Sequence, residues 1–226
     1  MCDHTLDHTL DAPPLMGAVV PARNALALRR QGADHGRVEV VADADVRAVV
    51  LVEGESDVLA LRAVAERRGL ELEGLGVALV PMGGATNVRR HVERFGPGGL
   101  GVPLAGLYDA AEEPFFRRAL RTDDLAASGF FDCVPDLEHE LIRALGVDGV
   151  IRVIAAEGEL ASLQRLQRQP AQRGRTAVDQ LHRFIGTRAG RKARYAWALA
   201  RSLEPDQVPP PLRRLVDHVL AALAAR

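Results

Sequence analysis

The sequence predicts an α/β fold: a Rossmann-like parallel sheet flanked by helices, followed by a helical extension. Three observations predict it. Apolar runs with no internal polar break recur between residues 48 and 136, as buried parallel strands require. Each run is followed by a segment with helical apolar spacing. The connections between them are short, which is the signature of β-α alternation.

The elements follow in order. AVVLVEG (48–54) is the first strand, closed by an acid and a glycine. SDVLALRAVAERRG (56–69) is a helix with Ser56 as N-cap candidate and a terminal glycine in the C′ position. GVALVPMGG (76–84) is a second strand, and ATNVRRHVERFG (85–96) a second helix. VPLAGLYD (102–109) is a third strand; EEPFFRRALR (112–121) is a helix with acids first and arginines last, as the helix dipole favours. GFFDCVPD (129–136) is a fourth strand and LEHELIRALG (137–146) its helix. GVIRVIAAEG (149–158) reads as a fifth strand, and the remainder as helices over 159–168, 176–186, 189–203 and 210–225. Three parts result: a poorly structured segment over 1–45, holding the tandem DHTLDHTL with His4 and His8 and a short helix from residue 22; an α/β domain over 46–158; and a basic helical extension over 159–226.

Composition narrows the function classes. No apolar run has the roughly 18 residues of a membrane span, and the N-terminus shows no signal-peptide core. Two cysteines far apart, Cys2 and Cys133, offer neither a disulfide framework nor a metal knuckle, so a reducing cytoplasm is expected. Charge is divided along the chain. Residues 1–160 hold 16 basic and 26 acidic side chains, whereas residues 161–201 hold ten basic side chains and the single acid Asp179. An acidic front and a basic back suit a metal in one part and a polyanion in the other. Aromatic content is low, which argues against a stacking platform for single strands.

In parallel sheets the site lies at the carboxyl ends of the strands. Glu53, Gly83–Gly84, Asp109 and Asp136/Glu138 fall there. Asp57 stands in the first turn of the first helix. Carboxylates gathered at one sheet edge repel unless a cation lies among them, and an all-oxygen donor set selects Mg2+ or Mn2+. Among 29 basic residues, 28 are arginine; the one lysine is Lys192. Cys133 is expected in the core, and His91, His139 and His182 on the surface.

VEGESD, PMGG and the aspartate closing the third strand resemble the TOPRIM domain, the metal-binding module of topoisomerases, primases and several nucleases. Glu53 and Gly54 match its first element, Asp57 the second acid of nuclease-type versions, Gly83 and Gly84 its glycine-rich turn, and Asp109 the first acid of its Asp-x-Asp. The sequence departs at position 111, an alanine, with Glu112 and Glu113 following. Within TOPRIM proteins the chain is similar to the nuclease half of the OLD (overcoming lysogenization defect) family. LEHELI matches a Leu-Glu helix start through Glu138, with Glu140 as the alternative, and GRKARYA matches a downstream lysine through Lys192; the resemblance spans about residues 47–200.

The resemblance implies a Mg2+- or Mn2+-dependent endonuclease. Glu53, Asp57, Asp109 and Glu138 would hold metal, Lys192 would stand near the scissile phosphate, and the basic helices would grip the DNA backbone without sequence preference. OLD proteins also carry an ABC-type ATPase. This chain has no GxxxxGK[ST], so an ATPase is expected as a separate partner, and a homodimer is compatible with double-strand cutting. The alternative is a degenerate TOPRIM module that binds without cutting, for which Ala111 speaks. Nucleotidyl transfer, as in primases, is disfavoured by the scarcity of aromatics. A response-regulator receiver is disfavoured because Lys192 lies too far downstream.

Overall fold

The computed structural model describes residues 46–188 and 190–225. The expectations for residues 1–45, including the DHTL repeat, lie outside them.

Four parallel strands form one sheet in the order β2-β1-β3-β4: β1 (Ala48–Val52), β2 (Val77–Pro81), β3 (Leu104–Asp109) and β4 (Phe130–Cys133). The helices are α1 (Glu55–Arg67), α2 (Val88–Phe95), α3 (Glu113–Leu120), α4 (Leu137–Ala156), α5 (Leu160–Gln167), α6 (Ala177–Gly186), α7 (Arg191–Arg201) and α8 (Pro210–Ala224). Among the described residues no helix is long and apolar enough to cross a membrane.

β1 explains why its sequence is apolar throughout. Strand side chains alternate between the two faces of a sheet. Ala48, Val50 and Val52 enter one core, with Leu107 of β3 and Phe131 and Cys133 of β4. Val49 and Leu51 enter the other, with Val80 of β2, Tyr108, Phe116 and Phe130. A strand covered on both faces has no position left for a polar residue. The first core is shared by α1, α4 and the helices α5 to α8, so the basic C-terminal segment packs into the same interior as the sheet. α7 lies along α1, and α8 lies across β3 and β4.

Gly106 marks the tightest point. It pairs with Leu51 of β1 and Phe130 of β4. A Cβ there would lie 2.5 Å from the Leu51 carbonyl oxygen and 2.8 Å from the Phe130 ring. The carbonyl is backbone in the middle of the sheet and has nowhere to move. Gly106→Ala is expected to cost about 1–3 kcal/mol by overpacking. In a chain of this length that is a drop in Tm of roughly 3–10 °C, checked by thermal unfolding.

Two expectations are corrected. Residues 149–158 form no strand: 149–156 belong to α4, which bends where Gly146 takes φ 70° and ψ 162° and then resumes as helix, and 157–158 form the turn that ends it. Its β-branched residues fit a buried helical face, with Val150 and Ile154 four apart and both fully buried. Ser56 does not cap α1; the N-cap is Gly54, and Ser56 lies buried within the first turn.

Candidate metal centre

The carboxyl ends of the strands are tied together by their turns. Met82 N–H donates to the Val52 carbonyl at 2.8 Å and Gly83 N–H to the Glu53 carbonyl at 3.0 Å, joining the ends of β1 and β2. Gly83 and Gly84 have φ of 71° and 111°, a backbone path closed to side-chain-bearing residues without strain. Asn87 secures this turn by donating to the Met82 carbonyl at 3.0 Å. On the other side, Ala110 N–H donates to the Pro135 carbonyl at 3.2 Å, joining the ends of β3 and β4.

These turns bring the acids chosen from the sequence into one electrostatic cluster. Asp57, at the third position of α1, accepts from Gly54 N–H at 2.9 Å. Burial nevertheless pushes its carboxyl up to about 6, with the charges of Glu138 and Glu53 adding to the effect. Asp109 is pushed up to about 8, first by burial and then by Glu53, Asp136 and Asp57. Glu138 is 4% exposed and raised, again chiefly by burial, with Lys192 opposing. Lys192 Nζ lies 3.3 Å from Glu138 Oε2. Burial alone would lower the lysine, but Glu138, Asp57 and Glu53 outweigh it and hold the ammonium charged. Lys192 occupies the second position of α7, a helix start that disfavours a cation. The surrounding acids offset that cost.

The structure distinguishes two pairs of neighbouring acids that the sequence leaves open. Glu140 accepts from Val134 N–H at 3.0 Å and pairs with Arg143 at 3.0 Å, so it braces the β4–α4 turn while Glu138 faces the cluster. Glu113 pairs with Arg117 at 2.6 Å, whereas Glu112, one residue earlier, is raised by burial and by Glu53 and Asp57. Glu112, in the turn that carries Ala111, is thus within the field of the cluster.

By donor type the cluster suits a hard divalent cation, although among the described residues no three of these acids bring ligand oxygens within 4.8 Å of one another. Glu138 Oε1 and Glu112 Oε2 are buried carboxylate oxygens with no hydrogen-bond partner among the described residues. An orphaned buried carboxylate is costly unless a cation satisfies it. The oxygens of Glu53, Asp57, Asp109, Glu112 and Glu138 match the preference of Mg2+ or Mn2+.

The raised acids set a pH dependence. Asp57 and Asp109 keep protons that the unfolded chain has released, so their contribution is full below the unfolded carboxylate value of about 4 and is lost as pH rises to about 8. His182, raised by its Asp136 hydrogen bond, contributes stability that is full below the unfolded histidine value of about 6.5 and is lost as pH rises above it. In chelator, thermal unfolding is expected at lower temperature at about pH 8 than at about pH 5.5. Mg2+ is expected to raise Tm at the higher pH and to do little at the lower, because protons and cation compete for the same oxygens.

The sequence reading missed one group. His139 and His182 are not free surface residues. Asp136 caps α4 by accepting from His139 N–H at 2.9 Å. Its Oδ1 lies 2.8 Å from His139 Nδ1 and its Oδ2 3.0 Å from His182 Nε2. Burial opposes ionisation of Asp136, yet these hydrogen bonds from His182 and His139 hold it below the usual carboxylate range. The i,i+3 spacing of Asp136 and His139 was legible in the sequence; the approach of His182 from α6 was not.

The expected arginine grip is only partly available. Arg191 is buried, stacked on Phe184 and bound to Glu159 at 2.8 Å. Arg194 also pairs with Glu159, which accepts from Tyr195 Oη at 3.0 Å as well. These two brace α7 against the start of α5. Arg165, Arg168, Arg173, Arg175, Arg183 and Arg188 are exposed.

Comparison with known proteins bears on the family and the fold. Residues 46–110 match the family model described as the TOPRIM domain of overcoming lysogenization defect (OLD) protein-like sequences, a span that includes Glu53, Asp57, Gly83–Gly84 and Asp109. The chain is similar in structure to the C-terminal region of the Burkholderia pseudomallei OLD protein, with TM-score 0.60 and 25% identity over 79% of this chain and 98% of that one. It is also similar to the C-terminal region of the Xanthomonas campestris pv. campestris OLD protein, with TM-score 0.58 and 30% identity over 79% and 97% of the two chains. No curated protein sequence matches.

Proposed function

The chain belongs to the OLD-like TOPRIM family, and from that premise we propose that it is a metal-dependent endonuclease that hydrolyses phosphodiester bonds of DNA. The observation that carries this reading is the cluster of buried and half-buried acids at the strand ends, with two orphaned carboxylate oxygens and one charged lysine at its edge.

Glu53, Asp57, Asp109 and Glu138 would hold Mg2+ or Mn2+, with Glu112 supplying the charge absent at Ala111. A bound divalent ion polarises a phosphate and lowers the pKa of a coordinated water. The chain's own residues do the rest. Asp57 is locked by Gly54 N–H and so presents its second oxygen in a fixed direction. Lys192 keeps its proton and offers a compact positive charge to the oxygens of the pentacovalent phosphorus. Glu138 holds the ammonium in place from one oxygen and leaves the other for the metal.

The exposed arginines of α5, α6 and their connections are read as contacts to the phosphate backbone. Such contacts release counterions, so binding is sequence-independent and weakens steeply with salt. Reversing Arg168 and Arg175 to glutamate is expected to weaken DNA binding about tenfold or more and to flatten the salt slope by about two contacts, measured by fluorescence anisotropy across a salt series. An ATPase supplied by a separate protein and a homodimer remain part of this proposal as partners.

The test of the reading is incubation of the purified chain with supercoiled plasmid in Mg2+, in Mn2+ and in chelator. Conversion to open-circular or linear DNA only with the divalent ions supports it. Salt-sensitive DNA binding without conversion in any condition favours the second reading, for which Ala111 is the observation: a TOPRIM module that binds and does not cut.

A further inference from the structure

We propose that Asp136, His139 and His182 form a second metal site, distinct from the carboxylate cluster, that takes a transition-metal dication of the zinc class. One ligand atom from each residue lies within 4.8 Å of the others. The contacts already made, Asp136 Oδ1 to His139 Nδ1 at 2.8 Å and Asp136 Oδ2 to His182 Nε2 at 3.0 Å, are close to the edge lengths of a coordination shell. With metal–ligand bonds of roughly 2.0–2.2 Å in a tetrahedral shell, ligand atoms stand about 3.3–3.6 Å apart, so the present contacts need to open by only a few tenths of an ångström.

The chemistry of the donors separates this site from its neighbour. Two imidazole nitrogens and one carboxylate suit Zn2+ and its first-row relatives; Mg2+ prefers oxygen alone. Three protein ligands leave a fourth position open, the pattern of reactive rather than purely structural zinc. Helix capping does not explain the histidines. The cap of α4 needs only the Asp136 carboxylate and the His139 backbone N–H, yet a second imidazole arrives from α6, with the two rings 4.1 Å apart. The side chains are 20%, 20% and 36% exposed, so an ion can enter from solvent.

Asp136 follows Pro135, whose carbonyl accepts from Ala110 N–H in the turn after Asp109. The site thus adjoins the β3 side of the acid cluster, near the turn that carries Ala111. The site itself does not depend on the chain cutting DNA.

The test uses the full chain, stripped with chelator and titrated with Zn2+ in millimolar Mg2+, read by calorimetry and by metal analysis after dialysis. Wild type is expected to retain one Zn2+ per chain. His182→Ala and His139→Ala are each expected to weaken binding at least tenfold, while His91→Ala and Glu53→Ala leave it unchanged. Zn2+ is expected to raise the Tm of wild type and not of His182→Ala. His182→Gln, which keeps the size of a half-exposed side chain, is expected to lose Zn2+ while keeping the circular dichroism of the fold. Displacement of Zn2+ by Mg2+, binding that persists in both histidine variants, or loss of binding in a His4→Ala/His8→Ala double variant would overturn the proposal. Loss of Zn2+ in Glu53→Ala would also overturn it, by placing the ion in the acid cluster. None of these readouts requires cleavage, so failure of the nuclease reading and failure of this one are separable.

Discussion

Asp109→Asn is expected to lower the rate of Mg2+-dependent plasmid nicking by roughly a thousandfold, the range lost when a charge-stabilising group is removed from a preorganised site. Asparagine keeps the shape of the side chain and removes only its charge. In this fold that substitution is gentle. Burial and the carboxylates of Glu53, Asp136 and Asp57 already push Asp109 up to about 8, so the metal-free protein holds it largely neutral at physiological pH. The amide therefore mimics the protonated acid, and the metal-free Asp109→Asn variant is expected to unfold at the same temperature as wild type or higher at about pH 8. The predicted signature is loss of cleavage together with loss of the Mg2+-induced rise in Tm, without loss of fold. Cleavage lost with Mg2+ stabilisation intact would move Asp109 out of the metal site.

Lys192→Arg is expected to slow nicking about 10- to 100-fold while leaving DNA affinity nearly unchanged, and Lys192→Met to slow it further. Both variants keep a long stem; they differ in the head. The ammonium sits 3.3 Å from Glu138 Oε2 in the field of Asp57 and Glu53. A guanidinium is wider and planar, directs its donors in a fixed fork, and does not fit a point-charge position between carboxylates. Binding is carried elsewhere, by the exposed arginines, so rate and affinity should separate. A parallel loss of affinity and rate would make Lys192 one more backbone contact.

The sheet was legible because a strand buried on both faces admits no polar residue. AVVLV, VALVP and LAGLYD therefore read as strands without ambiguity. The acids that close them were legible for the same reason: after an apolar run, Glu53 and Asp109 mark the point where the chain leaves the interior. What failed was local. GVIRVIAA has the composition of a strand, but its apolar residues are also spaced to bury one side of a helix, and packing decided for the helix. Side-chain direction was beyond reach. Glu112 and Glu113 are adjacent and chemically alike; only the turn after β3 leaves one in the field of Glu53 and Asp57 and pairs the other with Arg117. His182 comes to Asp136 from 46 positions away because α6 packs on α4, a contact with no signature in spacing. Lys192 was legible as an oddity of composition and through the GRKARYA resemblance, but its place beside Glu138 depends on α7 packing on α4.

The most direct test of the central claim is a side-by-side assay of wild type and Glu53→Ala on supercoiled plasmid in Mg2+ and in Mn2+. Glu53 directly follows β1, an inner strand, and is half-buried, so its removal takes a charge from the cluster without opening the core. Nicking by wild type in either ion, absent with Glu53→Ala in both, is the predicted result. Equal nicking by the two proteins, or none by wild type while it binds DNA with a steep salt dependence, would contradict the account.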